Sequence, residues 1–315
     1  MSKTQVWLGG LLVSQCILAT GLFVSDRHAA QSNVALPLLS FAQAQVGRVV
    51  ISDSDNTVTL SKSGDRWVLP DLQALPANQR QLTDVFEKLS ALQAGWPVAT
   101  TSSSQARFEV SDEKFQRRIQ LYQGDDLVED FFVGTSPGFR KVHVRQADDD
   151  AIYSVLLNSY ELPAQGDQWL DKTLLGASAV TAIKAGDYAL KKTGDDWHFE
   201  PPEPQANSEN SAPEIDAEKA AQLASAFTTL RVQGWVDKPD PKLKEATSAA
   251  FEITGSAQWH YDLLALDEQY YIRRNDRDLL FKLSQSDYEK IVNITQAQLV
   301  KTVDVEEGAD TPSDG

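Results

Sequence analysis

The stretch Val58–Pro70, Val-Thr-Leu-Ser-Lys-Ser-Gly-Asp-Arg-Trp-Val-Leu-Pro, returns later as Tyr188–Pro201, Tyr-Ala-Leu-Lys-Lys-Thr-Gly-Asp-Asp-Trp-His-Phe-Glu-Pro. In both, a short alternating run ends at a Gly-Asp pair. The glycine supplies positive φ and the aspartate bonds its own backbone, so each stretch reads as a β-hairpin. Gly64 and Gly194 are 130 residues apart, and the later echoes Val144-Arg145/Ile272-Arg273 and Tyr160/Tyr288 are 128 apart. The spacing persists beyond the hairpins, which predicts a long repeat: two tandem related α+β units, each an antiparallel sheet with a packed helix.

A chain of 315 residues has the length for two such units. The units do not begin at the N-terminus. Val6 to Val24 is a run of 19 residues without a charge, close to the roughly 20 needed to cross a bilayer as a helix. It is longer than the apolar core of a secretory signal, and His28-Ala29-Ala30 makes a poor cleavage site. The expectation is therefore one N-terminal transmembrane helix, kept as an anchor, with everything after it exported. Cys16, the only cysteine, lies inside that run, so no intramolecular disulfide forms. A net charge of −16 argues against nucleic acid as a partner, because phosphate recognition rests on a basic surface. It also opposes general adsorption to anionic lipid.

Taken in order, residues 1–24 are the anchor and 25–44 a juxtamembrane stalk. The first unit spans 45–176, the second 177–302 with a loop insert at 201–213, and 303–315 is a disordered acidic tail. Leu82, Val85, Phe86, Leu89 and Leu92 recur at three and four, which predicts a helix ended by Gly95. Asp216 caps a second helix carrying Leu223, Phe227 and Leu230 on one face. Ser102–Val110 reads as a polar turn whose Phe108-Glu109-Val110 is echoed by Phe251-Glu252-Ile253. Trp96 follows Gly95 as Trp235 follows Gly234.

Reaction chemistry has little to start from. The four histidines, His28, His143, His198 and His260, lack any short mutual spacing, so no metal site and no cofactor is expected. No phosphate-binding loop, nucleophile elbow or His-Glu-x-x-His helix occurs. The carboxylate pairs Asp125-Asp126 and Asp195-Asp196 and the run Asp148–Asp150 fall at hairpin turns, where Asp serves the backbone. Trp67, Trp96, Trp197 and Trp235 recur with the repeat and are expected in the core, leaving Trp169 and Trp259 as the candidates for a glycan surface. The most distinctive piece is Gly134-Thr-Ser-Pro-Gly-Phe-Arg-Lys141, which has no counterpart before Tyr270-Tyr271-Ile272-Arg273. Lys141, His143 and Arg145 alternate with Val142 and Val144, so they share one strand face with Arg140 beside them. These four are the candidate binding residues for an anion or an acidic partner.

With the apolar run, the two Gly-Asp hairpins, the Gly-Trp after each helix and Phe132-Val133-Gly134 leading to Val142-His143-Val144-Arg145, the chain resembles a bacterial family catalogued as domain of unknown function 4340. That resemblance implies a membrane-anchored envelope protein, often encoded beside genes for a gliding-motility-type ABC transporter, with no established activity. The expected partners are envelope or inner-membrane transporter subunits, and the expected location is the bacterial inner membrane with the C-terminal region periplasmic. The reading is a non-enzymatic accessory or scaffold protein. The alternative is an exported binding module for glycan or another envelope polymer.

Overall fold

The structure, a computed structural model of the chain, describes residues 36–200 and 214–301. The expected anchor, the 201–213 insert and the 303–315 tail lie outside those residues. Among the described residues no helix is long and apolar enough to cross a membrane. The described chain is α+β, mostly antiparallel sheet with a few helices. It divides into two compact units. One takes in the chain up to Asp71 and Gln79–Gly166; the other takes Leu72–Asn78 and the chain from Asp167 on. Residues 167–176, read from sequence as the close of the first unit, group with the second.

The first unit opens with β1 (Leu36–Pro37), so the last part of the expected stalk is built into the fold: Leu38 and Leu39 are buried. Three strands follow, β2 (Arg48–Ser52), β3 (Thr57–Ser63) and β4 (Arg66–Leu69). Gly64 takes φ +60° in the two-residue turn between β3 and β4, a conformation that a Cβ disfavours. The chain leaves for β5 (Leu75–Pro76), which belongs to the segment grouped with the second unit, and returns as α1 (Gln79–Ser90). The predicted face of α1 buries Leu82, Val85, Phe86 and Leu89, with Phe86 5.7 Å from Trp67 of β4. Then come β6 (Gln93–Ala94), paired with β1, and α2 (Ser102–Phe108), where the sequence suggested only a turn. Four long strands complete the unit: β7 (Arg117–Gln123), β8 (Asp126–Val133), β9 (Lys141–Gln146) and β10 (Ile152–Leu156). The sheet runs β10-β9-β8-β7-β2-β3-β4, and Ala99 bridges to the far side of β10 at Ile152.

Over β8 and β9 that sheet is covered on both faces. Phe132 of β8 belongs to a small cluster with Val110 and Ile152, flanked by Ala99, Phe108, Phe115 and Ala147. The segment from α2 to Phe115 therefore roofs the face of β8 and β9 that carries Phe132.

The second unit has β11 (Ala182–Lys184), β12 (Ala189–Thr193) and β13 (Asp196–Phe199), with Gly194 at φ +61° in the matching turn. Helix α3 (Ala217–Thr228) begins at Asp216, whose carboxylate accepts the Lys219 N–H as the sequence predicts. Phe227 of α3 packs 5.4 Å from Phe251 and 5.3 Å from Tyr261. Next are β14 (Val232–Trp235), β15 (Thr247–Thr254), β16 (Gln258–Leu266), β17 (Gln269–Arg274) and β18 (Arg277–Leu283), then α4 (Gln285–Val292) and α5 (Gln296–Leu299). The sheet runs β14-β18-β17-β16-β15-β11-β12-β13. Phe251–Ile253 is mid-strand in β15, whereas Phe108–Val110 ends a helix, so that echo does not mark equivalent positions.

Candidate functional site

The β8–β9 connection of the first unit is ordered from its two ends. A Cβ on Gly134 would lie 2.0 Å from the Phe108 carbonyl oxygen, so only glycine lets the chain pass this close to the end of α2. The Thr135 N–H donates to that same carbonyl at 2.9 Å. Ser136 Oγ lies 2.7 Å from the carbonyl oxygens of both Gly138 and Lys141, and the Lys141 N–H closes a turn on Gly138. The turn holds Arg140 at φ +56° and projects Phe139, 86% exposed, with the Arg140 guanidinium 5.0 Å from its ring centroid.

The four candidate side chains separate into two pairs. Arg140 and Lys141 are exposed; His143 and Arg145 are buried. His143 and Arg145 do share the predicted face, but it is the roofed one. The His143 ring centroid sits 4.4 Å from that of Phe108, and its Nδ1 is 2.9 Å from Thr135 Oγ1. Burial, with a further push from Arg107, holds its pKa below the ordinary value. Arg145, 2% exposed, lies beneath this roof. Its Nε donates to the Val110 carbonyl at 2.7 Å and its Nη1 to the carbonyls of Gln146, Ala147 and Asp149. Its Nη2 meets Asp112 at 3.1 Å, and the guanidinium lies 4.7 Å from the Phe132 ring, its cross-strand partner. Neither buried residue reaches a partner in solution. The sequence reading is corrected here: a two-residue period fixes which side chains share a face and is silent about what covers it.

The exposed large apolar side chains supply what sequence reasoning missed. Leu36, Trp96, Val98, Leu127, Val128, Phe139, Leu156 and Tyr160 all belong to the first unit. Six of them lie on β10 or on the segments that run beside and beyond it. Leu36 of β1 pairs with Ala94, two residues before Trp96; the Val98 N–H donates to the Ile152 carbonyl; Leu156 pairs with Lys141. Trp96 is 76% exposed, against the expectation that it packs in a core like Trp67 and Trp197, which are buried. Trp169, expected as a surface aromatic, is fully buried.

The second unit instead offers an open cleft of about 340 Å³ lined by residues that include Gln233, Gln269, Tyr270, Tyr271 and Lys282. Tyr271 Oη donates to Gln269 Oε1 at 2.8 Å, and the Tyr270 ring packs, tilted, 4.6 Å from that of Tyr288. Among the described residues no group of His, Cys, Asp or Glu gathers as metal ligands would.

These features define a class: two antiparallel α+β units whose interior charges serve the fold and whose distinguishing chemistry lies on the surface. The family model described as "Domain of unknown function (DUF4340)" matches residues 67–248, and the chain belongs to that family. No curated protein and no solved structure matches it.

Proposed function

We propose that the protein is a non-enzymatic, membrane-anchored envelope scaffold built from two tandem copies of one α+β module, accessory to an ABC-transporter-type complex. The anchor is the uncharged run Val6–Val24, with the described units on the periplasmic side of the inner membrane. The observation that carries the reading is the difference between two sheets that share the order of seven strands. The first unit presents an exposed aromatic and basic surface, and the second presents none of the large exposed apolar side chains among the described residues. A module that diverges at its surface while keeping its interior is suited to contact outside itself. Purification of the full chain from detergent-solubilised membranes tests this. Membrane-embedded transporter subunits are expected to come with it, and their absence under mild detergent would overturn the scaffold role.

The second reading, a binding module for glycan or another polymer, has the polar, tyrosine-lined cleft of the second unit in its favour. In the same purification it predicts co-eluting polymer without protein subunits.

A further inference from the structure

We infer that the exposed aromatic and basic side chains at the β10 end of the first unit form a foot that rests on the lipid headgroup interface. This rests on the reading of Val6–Val24 as an anchor.

Composition is the first support. Phe139 and Leu156 are exposed beside the exposed cations Arg140 and Lys141, and Trp96 and Tyr160 are exposed on the segments that flank β10. Aromatic rings with an apolar body, set among Arg and Lys, are the side chains that favour the zone between acyl chains and headgroups. The Ser136-braced turn also presents Phe139 on a defined support, so inserting its ring orders little further chain.

Position is the second. Leu36, the first described residue, is itself in the patch through its pairing with Ala94. Twelve chain steps separate Val24 from Leu36, and at about 3.3–3.6 Å per residue they reach no more than about 43 Å. The patch is thus the part of the described chain where a short tether from the bilayer arrives.

Charge is the third. A chain of net charge −16 is repelled by anionic headgroups. Only a local surface such as Arg140 and Lys141 approaches without that penalty, which orients the foot toward the membrane and the acidic bulk away from it.

Tryptophan fluorescence separates the foot from the anchor, because Trp7 lies in the apolar run and Trp96 in the patch. The full chain is reconstituted into phosphatidylethanolamine/phosphatidylglycerol vesicles with or without acyl chains brominated near the headgroup. Quenching due to each residue is read by difference, using Trp7→Phe and Trp96→Phe. We expect both Trp7 and Trp96 to be quenched. Replacing Phe139, Arg140 and Lys141 by Ser should abolish the Trp96 quenching and leave that of Trp7. Quenching of Trp7 without Trp96 overturns the foot and leaves the anchor standing, as for a surface that faces water or a protein. Quenching of neither overturns both. Quenching of Trp96 without Trp7 supports the foot and removes the anchor.

Discussion

In the first unit, seven residues, 134–140, join β8 to β9 and lift an exposed Phe139 into solvent; in the second, β16 and β17 are joined by Asp267 and Glu268 alone, both at positive φ. Seven strands of each sheet run in the same order, β10-β9-β8-β7-β2-β3-β4 matching β18-β17-β16-β15-β11-β12-β13, with β14 added at the edge of the second, and each sheet buries one arginine from the outgoing strand. Arg145 lies directly across from Phe132, and Arg274, 6% exposed, lies directly across from Tyr261. Both spend their donors on backbone carbonyls: Arg274 reaches Leu174 and Gly176, then Tyr261 Oη and a bidentate Asp276. Asp276 is held below the ordinary carboxylate range, chiefly by its hydrogen bonds from Arg274. The interior device is common to the two units, whereas the connection beside it differs.

The largest expected effect breaks the comparison at that device. Arg145→Met and Arg274→Met keep most of the volume and strip the donors, leaving the buried Val110 carbonyl and partly buried carbonyls in each unit unpaired, at up to about 1–3 kcal/mol each. Each variant should lose about 3 kcal/mol or more, with the loss confined to its own unit and the larger loss at Arg145, which serves four carbonyls. Hydrogen exchange resolved by segment reads this directly. A loss in one unit only, whichever arginine is changed, would mean that the two arginines do not play the same part.

The pairing of Arg145 with Arg274 also shows where the sequence stopped being legible. The hairpins at Gly64 and Gly194, helix α1 and the Asp216 cap were readable because turn chemistry and helical period act within a few residues. A constant offset of 128 led instead to Arg273, which faces the more open side of its sheet and bonds Asp262 at 2.6 Å. The two units have connections of different length, so counting slips by a residue, and a slip of one moves a strand residue to the opposite face. The same limit applies to the candidate site. Alternation put His143 and Arg145 together, but the roof over them comes from α2 and the chain to Phe115, a piece whose local sequence looked like a polar turn. Trp96 failed in reverse, since a repeated position was read as a buried one.

A smaller effect sharpens the comparison inside the first unit, at Glu129 of β8. Its Oε1 accepts the Ser40 N–H at 2.5 Å, yet burial raises its pKa above the ordinary carboxyl value. A carboxyl whose folded pKa is raised favours the folded state fully below its unfolded pKa, about 4.3, and loses that contribution as pH climbs through the raised folded value. Glu129→Gln keeps an acceptor for Ser40 and cannot ionise. Relative to wild type, the variant should therefore be more stable at neutral pH, with the difference shrinking as the pH is lowered toward the carboxyl range. Urea unfolding of both proteins across that range checks it, and a difference that grows on acidification would refute the sign.

The smallest expected effect concerns stability at the exposed half of the candidate site. Arg140 and Lys141 sit two to five residues from His143 and Arg145 and differ from them in one respect, that nothing covers them. Arg140 lies over Phe139, itself exposed, and Lys141 meets Leu156 through the β9–β10 ladder, which needs only backbone. Arg140→Ser with Lys141→Ser should leave unfolding free energy within about 0.5 kcal/mol, as at ordinary surface positions. What the pair contributes instead is attraction toward an anionic surface, which weakens as salt shortens the Debye length to about 10 Å at 0.1 M. A stable double variant whose membrane contact falls, and whose remaining contact no longer depends on salt, puts the working charge of this segment on these two residues. Unfolding of the double variant would place them with the buried pair, and the division of the segment into a covered half and a contacting half would not hold.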